Sequence, residues 1–276
     1  MLAAMLFCMW ASFSYAQEKQ QFFFRMITAM SEVRTASYNF SGTDVFGDEI
    51  KTSELVVRLN VKPLKVYVYS ITPHPGSRAL FVEGENKNNI LIDPNAFPYI
   101  NLNLSPYHSL MRKGHHFTIK ESGFEYVKNV MLNYYLKDSA AFFNALTINR
   151  HVKFKDTFYD QVVIEHPNFK YVDYKVLSGE NFTSIGTKLC VNDDMIRLAN
   201  PSLSGFNDLK AGTLIKVPNC FAKKIVFYVD PSNFLPVVQE SYTEKGLYGR
   251  YVFSSLVINP VFPPEEFLRT NKEYGF

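Results

Sequence analysis

The chain has 276 residues, 47% of them hydrophobic and 16% aromatic, with 17 Tyr, 25 Phe and 1 Trp. That content fills a sizeable core, which excludes a disordered chain, while 14 Pro and 13 Gly exclude a low-complexity or collagen-like one. A net charge of +3, from 29 basic and 26 acidic residues of interspersed sign, makes no footprint for nucleic acid, and none is expected as a partner.

Residues 2–16, LAAMLFCMWASFSYA, are uncharged and give way to QEKQ. Ser14 and Ala16 lie three and one residues before a cut ahead of Gln17. The pattern is that of a secretory signal peptide at 1–16, though no Lys or Arg precedes the apolar run; the alternative is a buried N-terminal helix. No other stretch approaches 18 apolar residues, so a transmembrane protein is not expected. Residues 20–36 put Phe23, Met26, Ile27, Met30 and Val33 on one face, which predicts an amphipathic helix.

Alternation then predicts strands over 54–61, 65–71, 78–84 and 88–95, punctuated by Pro63, the Pro-His-Pro-Gly at 73–76, and Gly84 onward. The same reading makes strands of 116–122 and 126–136. A helix follows over 138–149, with Asp138 or Ser139 as cap and Ala141, Phe142, Ala145 and Leu146 as its stripe. A strand resumes at 158–166, and 224–258 reads as three strands with turns at 230–233 and 244–246. The expected class is α+β, a large antiparallel sheet covered by helices.

Residues 172–220 break the pattern. This window holds only Tyr174, Phe182 and Phe206, about 6% aromatic against about 17% in the rest of the chain after residue 16. Its order reads strand (173–177), helix (181–189), helix (192–199), strand (213–217), with Asn181 and Asn192 as N-caps and Gly179 and Gly212 in loops. It reads as a small module inserted into the sheet protein, whose own domain is then 17–171 and 221–276. Beyond residue 16 the cysteines are Cys190 and Cys220; in an oxidising compartment they either form a disulfide or stay two separate thiols.

The window resembles a LysM domain. Tyr174-Lys-Val, Ser178-Gly179-Glu180-Asn181-Phe182, Ile185, the Asp194 to Asn200-Pro201 helix end and the 209–218 stretch LKAGTLIKVP carry the resemblance. It departs from the family's Gly-Asp-Thr at Gly179-Glu180-Asn181, and from an Ala at Gly186, where glycine is expected to weaken the helix by about 0.5–1 kcal/mol. The resemblance implies a βααβ fold that binds N-acetylglucosamine-containing glycan, chiefly peptidoglycan. Two loops would form the site: Gly179, Glu180, Asn181 and Phe182, and Asn200, Pro201, Ser202 and Leu203. The alternative is a folded spacer without glycan.

The flanking chain has its own resemblance. The segments at 66–71, 89–94, 227–237 and 246–253, with Asn259-Pro260, Phe267, Asn271 and the closing Tyr274-Gly275-Phe276, are similar to a family of unknown function related to the LolA-type lipoprotein carriers. That implies a curved antiparallel half-barrel around an apolar cavity for a lipid or lipoprotein acyl chain. The helices at 20–36 and 138–149 would be its lid, and strand aromatics and Met its lining. A filled core without ligand space is the alternative.

No catalytic, metal or cofactor motif is present: there is no Gly-x-Ser-x-Gly, His-Glu-x-x-His or phosphate-cradling glycine loop. His108, His115 and His116, beside Arg112 and Lys113, read as a basic, solvated loop. The expectation is therefore an exported, non-enzymatic protein of the periplasm or cell envelope that binds peptidoglycan with one part and an acyl chain or envelope partner with the other. Competing readings are an envelope scaffold without lipid cargo and a peptidoglycan-targeted cell-wall enzyme.

Overall fold

Helix α1 runs unbroken over Leu2–Glu32 in the computed structural model, which describes residues 2–203 and 209–276, with side-chain surroundings from Ala16 on. Its second half buries Phe22, Phe23, Met26 and Met30, and Val33 just past its end is buried too, so the expected stripe holds with Phe22 added and Ile27 at its half-buried margin.

The chain then turns into β1 (Thr35–Phe46), β2 (Glu49–Asn60), β3 (Lys65–Thr72), β4 (Arg78–Val82), β5 (Ile90–Asp93) and β6 (Leu102–Leu104). These form an antiparallel meander. The rest of the sheet comes from β7 (Leu146–Phe154), β8 (Thr157–Glu165), β11 (Lys224–Val229), β12 (Pro236–Thr243) and β13 (Gly246–Ile258). The strand order is β6-β5-β4-β3-β2-β1-β13-β12-β11-β8-β7, eleven strands in one open, curved antiparallel sheet. Strand β1 joins its two halves, pairing with β2 on one side and with β13 on the other, from Ala36↔Ile258 to Asp44↔Gly249. The expected antiparallel sheet with covering helices is present. Among the described residues, no helix is long and apolar enough to cross a membrane.

Three local expectations fail, and one strand goes unexpected, for identifiable reasons. Residues 126–136 are not a strand but most of helix α3 (Glu125–Lys137), where Val127, Val130, Met131 and Tyr134 meet the core at helical spacing. Its β-branched and aromatic residues give a strand-like composition that the packing overrides. Residues 116–122 are irregular, with one 3-10 turn at Ile119–Glu121 closed by a reciprocal Thr118–Glu121 capping box. The helix expected to 149 is α4 (Ser139–Ala145), capped by the Asp138 carboxylate on Ala141 N at 2.9 Å; β7 starts at once in its place. Strand β1 had no expectation because Gly42 and Asp44 occupy inward positions where alternation requires apolar residues.

Between β8 and β11, which are direct hydrogen-bonded neighbours, the chain leaves the sheet to form β9 (Tyr171–Lys175), α5 (Phe182–Leu189), α6 (Asp193–Ala199) and β10 (Leu214–Pro218). Strands β9 and β10 pair antiparallel as their own two-stranded sheet. They share with the helices a separate apolar cluster of Val176, Phe182, Ile185, Val191, Ile196, Ile215 and Val217. Gly186 has a definite role here. A Cβ on it would lie 2.9 Å from Val191 O and 3.1 Å from Asp193 N, so glycine lets the start of α6 pack against α5. Phe206 lies outside the described residues.

Candidate functional site

The concave face is closed in two ways. Helices α1, α3 and α4 fill one part: Phe23 meets Phe142 at a ring distance of 4.8 Å and Tyr135 at 5.5 Å, and Met26, Met131 and Leu146 complete the packing. The expected lid helices are therefore core, because their stripes are wide enough to interlock with the sheet. The other part, over β1–β3 and β11–β13, is roofed by residues 110–127. These include the one-turn helix α2 (Ser109–Arg112), the 3-10 turn and the start of α3.

Beneath that roof lies a cavity of about 620 Å³. Its walls are mainly apolar: Tyr38 and Phe40 from β1, Leu55 and Val57 from β2, Val68 from β3, Phe227 from β11 and Phe253 from β13. The roof adds Met111, Phe117, Ile119, Tyr126 and Val127. Strand aromatics line the space as expected, but the methionines of the core do not; among the described residues only Met111 reaches it.

Polar groups gather toward the β1–β2 and β12–β13 turns. Asp44 accepts from the Tyr251 hydroxyl at 2.6 Å and from His116 N at 3.2 Å, and its second oxygen lies 3.7 Å from His115 Nδ1. Burial pushes the Asp44 pKa upward, but the His115 hydrogen bond, the His116 charge and the Tyr251 hydroxyl together hold it below the ordinary carboxylate value. Glu121 behaves oppositely. Its burial raises its pKa, and the bonds it accepts from Thr118 N and Oγ1 do not offset that. Burial likewise pushes the Tyr126 and Tyr251 hydroxyls well above the usual tyrosine range.

The roof is pinned from outside by the βααβ unit. His116, expected in a solvated loop, is 0% exposed. Its Nδ1 meets Asp194 Oδ2 at 2.8 Å, and its Nε2 faces Val45 O and Tyr248 O, each at 3.1 Å. Both ring nitrogens thus face oxygens, one of a carboxylate and two of the backbone. The ring stacks on Tyr248 at 3.7 Å. Arg112 donates to Asp193 at 2.6 Å, and Asn192 Nδ2 donates to His116 O at 2.9 Å while its Oδ1 caps α6 and accepts from Tyr248 Oη. The seam is a buried ionic network, and the bonds from Arg112 and His116 to the βααβ unit span 76 to 81 residues of sequence.

The residues expected to bind glycan are largely engaged in holding the unit together. Glu180 accepts from Leu177 N, Lys188 Nζ and the Tyr174 hydroxyl, all within 2.9 Å, and these bonds hold its carboxyl below the ordinary range. Asn181 caps α5 through Ser184 N at 2.8 Å, and Phe182 is wholly buried in the unit's core. Asn200 donates to Ile196 O and Lys216 O and accepts from Lys216 N, tying α6 to β10. Gly179, Pro201 and Ser202 are exposed, and Leu203 is half-buried against the unit's core. Cys190 and Cys220 are both free thiols, so the bridge considered above is not formed. Cys190 caps α5 in a left-handed conformation, and the Cys220 sulfur turns to Ala222 O. Among the described residues, no group of three or more His, Cys, Asp or Glu is placed to hold a metal ion.

A family model described as a protein of unknown function (DUF1571) matches residues 36–176, from β1 to the end of the first βααβ strand. No curated protein matches the sequence. Among solved structures, a DUF1329 family protein from Desulfovibrio piger is 8% identical with a TM-score of 0.36, over 92% of this chain and 97% of its own. The lipoprotein LppX of Mycobacterium tuberculosis is 9% identical with a TM-score of 0.40, over 89% and 98%. A LolA superfamily protein from Nitrosomonas europaea is 12% identical with a TM-score of 0.32, over 90% and 97%. At such identities and scores, nothing about this chain's ligand follows from these likenesses.

Proposed function

Since the chain belongs to the DUF1571 family, whose description leaves function open, we propose a role from its own geometry: an exported, non-enzymatic protein of the cell envelope that holds an acyl chain. The cavity carries this reading. Its volume of about 620 Å³ lies within the roughly 300–1,000 Å³ usual for small-molecule sites. Its walls of Phe, Tyr, Leu and Val give a flexible hydrocarbon a favourable transfer of about 25 cal/mol per Å² buried. The uncharged 2–16 segment supports export, and the resemblance to LolA-type carriers supports the class of cargo.

Native mass spectrometry of protein purified without detergent tests the cargo, together with displacement of a fluorescent fatty-acid probe. Co-purified lipid or saturable displacement is expected. A clean mass with no displacement sinks the carrier reading and leaves the scaffold without cargo.

The βααβ unit completes the proposal as a LysM-like anchor for N-acetylglucosamine-containing glycan, at residues 172–220. Its separate core and strand–helix–helix–strand order support this part. With Glu180, Asn181, Phe182 and Asn200 tied up internally, recognition falls to loop backbone around Gly179 and to Pro201, Ser202 and Leu203. The full chain should sediment with insoluble peptidoglycan at low salt. A chain left wholly in the supernatant overturns glycan binding without touching the cavity.

A further inference from the structure

We infer that the cavity selects an amphiphile with an uncharged, hydroxyl-bearing head, of the monoacylglycerol class, over fatty-acid anions and phosphate-bearing lipids. This rests on the acyl-binding reading above and adds the head group to it. The inference starts from one row of the sheet. Asp44 on β1 pairs with Gly249 on β13, which pairs with Ser241 on β12. Gly249 leaves a gap that the neighbouring ring occupies: a Cβ there would lie 2.4 Å from the Tyr251 hydroxyl. That hydroxyl bonds Asp44 at 2.6 Å, so carboxylate, phenol and Ser241 follow one another along the cavity wall. On the other side, Ser53 is paired with Gly42, and a Cβ on Gly42 would lie 2.7 Å from Ser53 Oγ. The roof adds Glu121 to the same cavity's lining.

Ser241 is the observation that points to a ligand. It lines the cavity, is 5% exposed, and its Oγ has no hydrogen-bond partner among the described residues. Buried hydroxyls are normally paired, so this one is set to receive a polar group from whatever fills the space. The surrounding charges decide which. Glu240, next in the chain, is held by Arg250 at 2.6 Å and by the Tyr242 hydroxyl at 2.7 Å. Asp44 stays ionised, and an anionic head brought beside it would meet like charge away from water. A hydroxyl donates to Glu121 or Ser53 and accepts from Ser241 without that conflict. The cations that touch the cavity do not reverse this. Arg78 is paired with Asp93 at 3.0 Å and His115 faces Asp44, while Lys113 and His74 are exposed.

Chain-matched monooleoylglycerol, oleate and oleoyl lysophosphatidate, each below its critical micelle concentration, should compete with a fluorescent acyl probe on the full chain. Monooleoylglycerol is expected to bind about tenfold tighter than oleate. Ser241→Ala should lower that preference about threefold, and Lys113→Ala should leave the ranking intact. Oleate or lysophosphatidate binding as tightly, with the advantage lost in Lys113→Ala, overturns the inference by placing the head at the exposed cations. Equal binding of all three, or an unchanged preference in Ser241→Ala, also overturns it. If none of the three competes, it is the acyl reading itself that fails.

Discussion

The two parts of the concave face share one sheet yet differ in what covers them. Helices α1, α3 and α4 present a side chain at every turn, and Phe23, Phe142 and Tyr135 interlock against the strands. The roof over residues 110–127 has one four-residue helix and one 3-10 turn, and its largest buried polar side chains, Arg112 and His116, bind Asp193 and Asp194 of the βααβ unit. A regular stripe fills a surface; an irregular segment anchored from its far side leaves about 620 Å³ beneath it. The cavity thus depends on the seam with the βααβ unit as much as on the sheet.

Truncation on either side tests that contrast most strongly. Phe23→Ala should cost about 3–5 kcal/mol, as for a filled core site. Phe40→Ala, whose ring faces the open space, should cost less than half as much in urea denaturation. Equal losses would mean the two regions are packed alike. Cutting the anchor is expected to be as severe as the core change: Asp194→Ala leaves His116 facing no carboxylate, at about 3–5 kcal/mol for one partner removed from a buried pair. It should also speed exchange of amides at 113–118. If those amides stay protected, the seam does not hold the roof.

A smaller effect separates the βααβ unit from an ordinary helix pair. Helix propensity alone says that Gly186→Ala stabilises α5 by about 0.5–1 kcal/mol. The 2.9 Å approach of Val191 O says the reverse, a loss of about 1–3 kcal/mol from overpacking. The sign of the change in thermal midpoint decides between them.

Much of the large sheet was legible because its strands alternate cleanly, as in 54–61 and 65–71, and because turns such as 244–246 mark its hairpins. The βααβ order was legible from its caps, Asn181 and Asn192, and from the drop in aromatics. What the sequence hid were the places where tertiary contacts override local composition. In α3, strand-like residues at helical spacing bury Val130, Met131 and Tyr134. At the roof, His116 and Arg112 read as solvated charge because their partners, Asp193 and Asp194, lie some 80 residues away. Ser241 gave no signal at all, since a serine on a strand announces neither its burial nor its missing partner.

The two carboxylates at the polar end respond to acid in opposite directions, which gives the finest test of the open region. Asp44 has its folded pKa below the ordinary 3.8, so its contribution to stability is present above that value and lost as pH falls through the folded one. Glu121 has its folded pKa above the ordinary 4.5, so its burial penalty is absent below 4.5 and grows as pH rises through the folded value. Glu121→Gln keeps an oxygen for Thr118 N and Oγ1 but carries no charge. It should stabilise the protein at pH 7 by about 1 kcal/mol or less, the scale of one net hydrogen bond. That advantage should shrink toward zero by about pH 4, where the wild-type carboxyl is protonated in both states. Chemical denaturation of both proteins across this range reads the difference directly. An advantage independent of pH would show that Glu121 titrates normally, and that the polar end is open to bulk water rather than sealed beneath the roof.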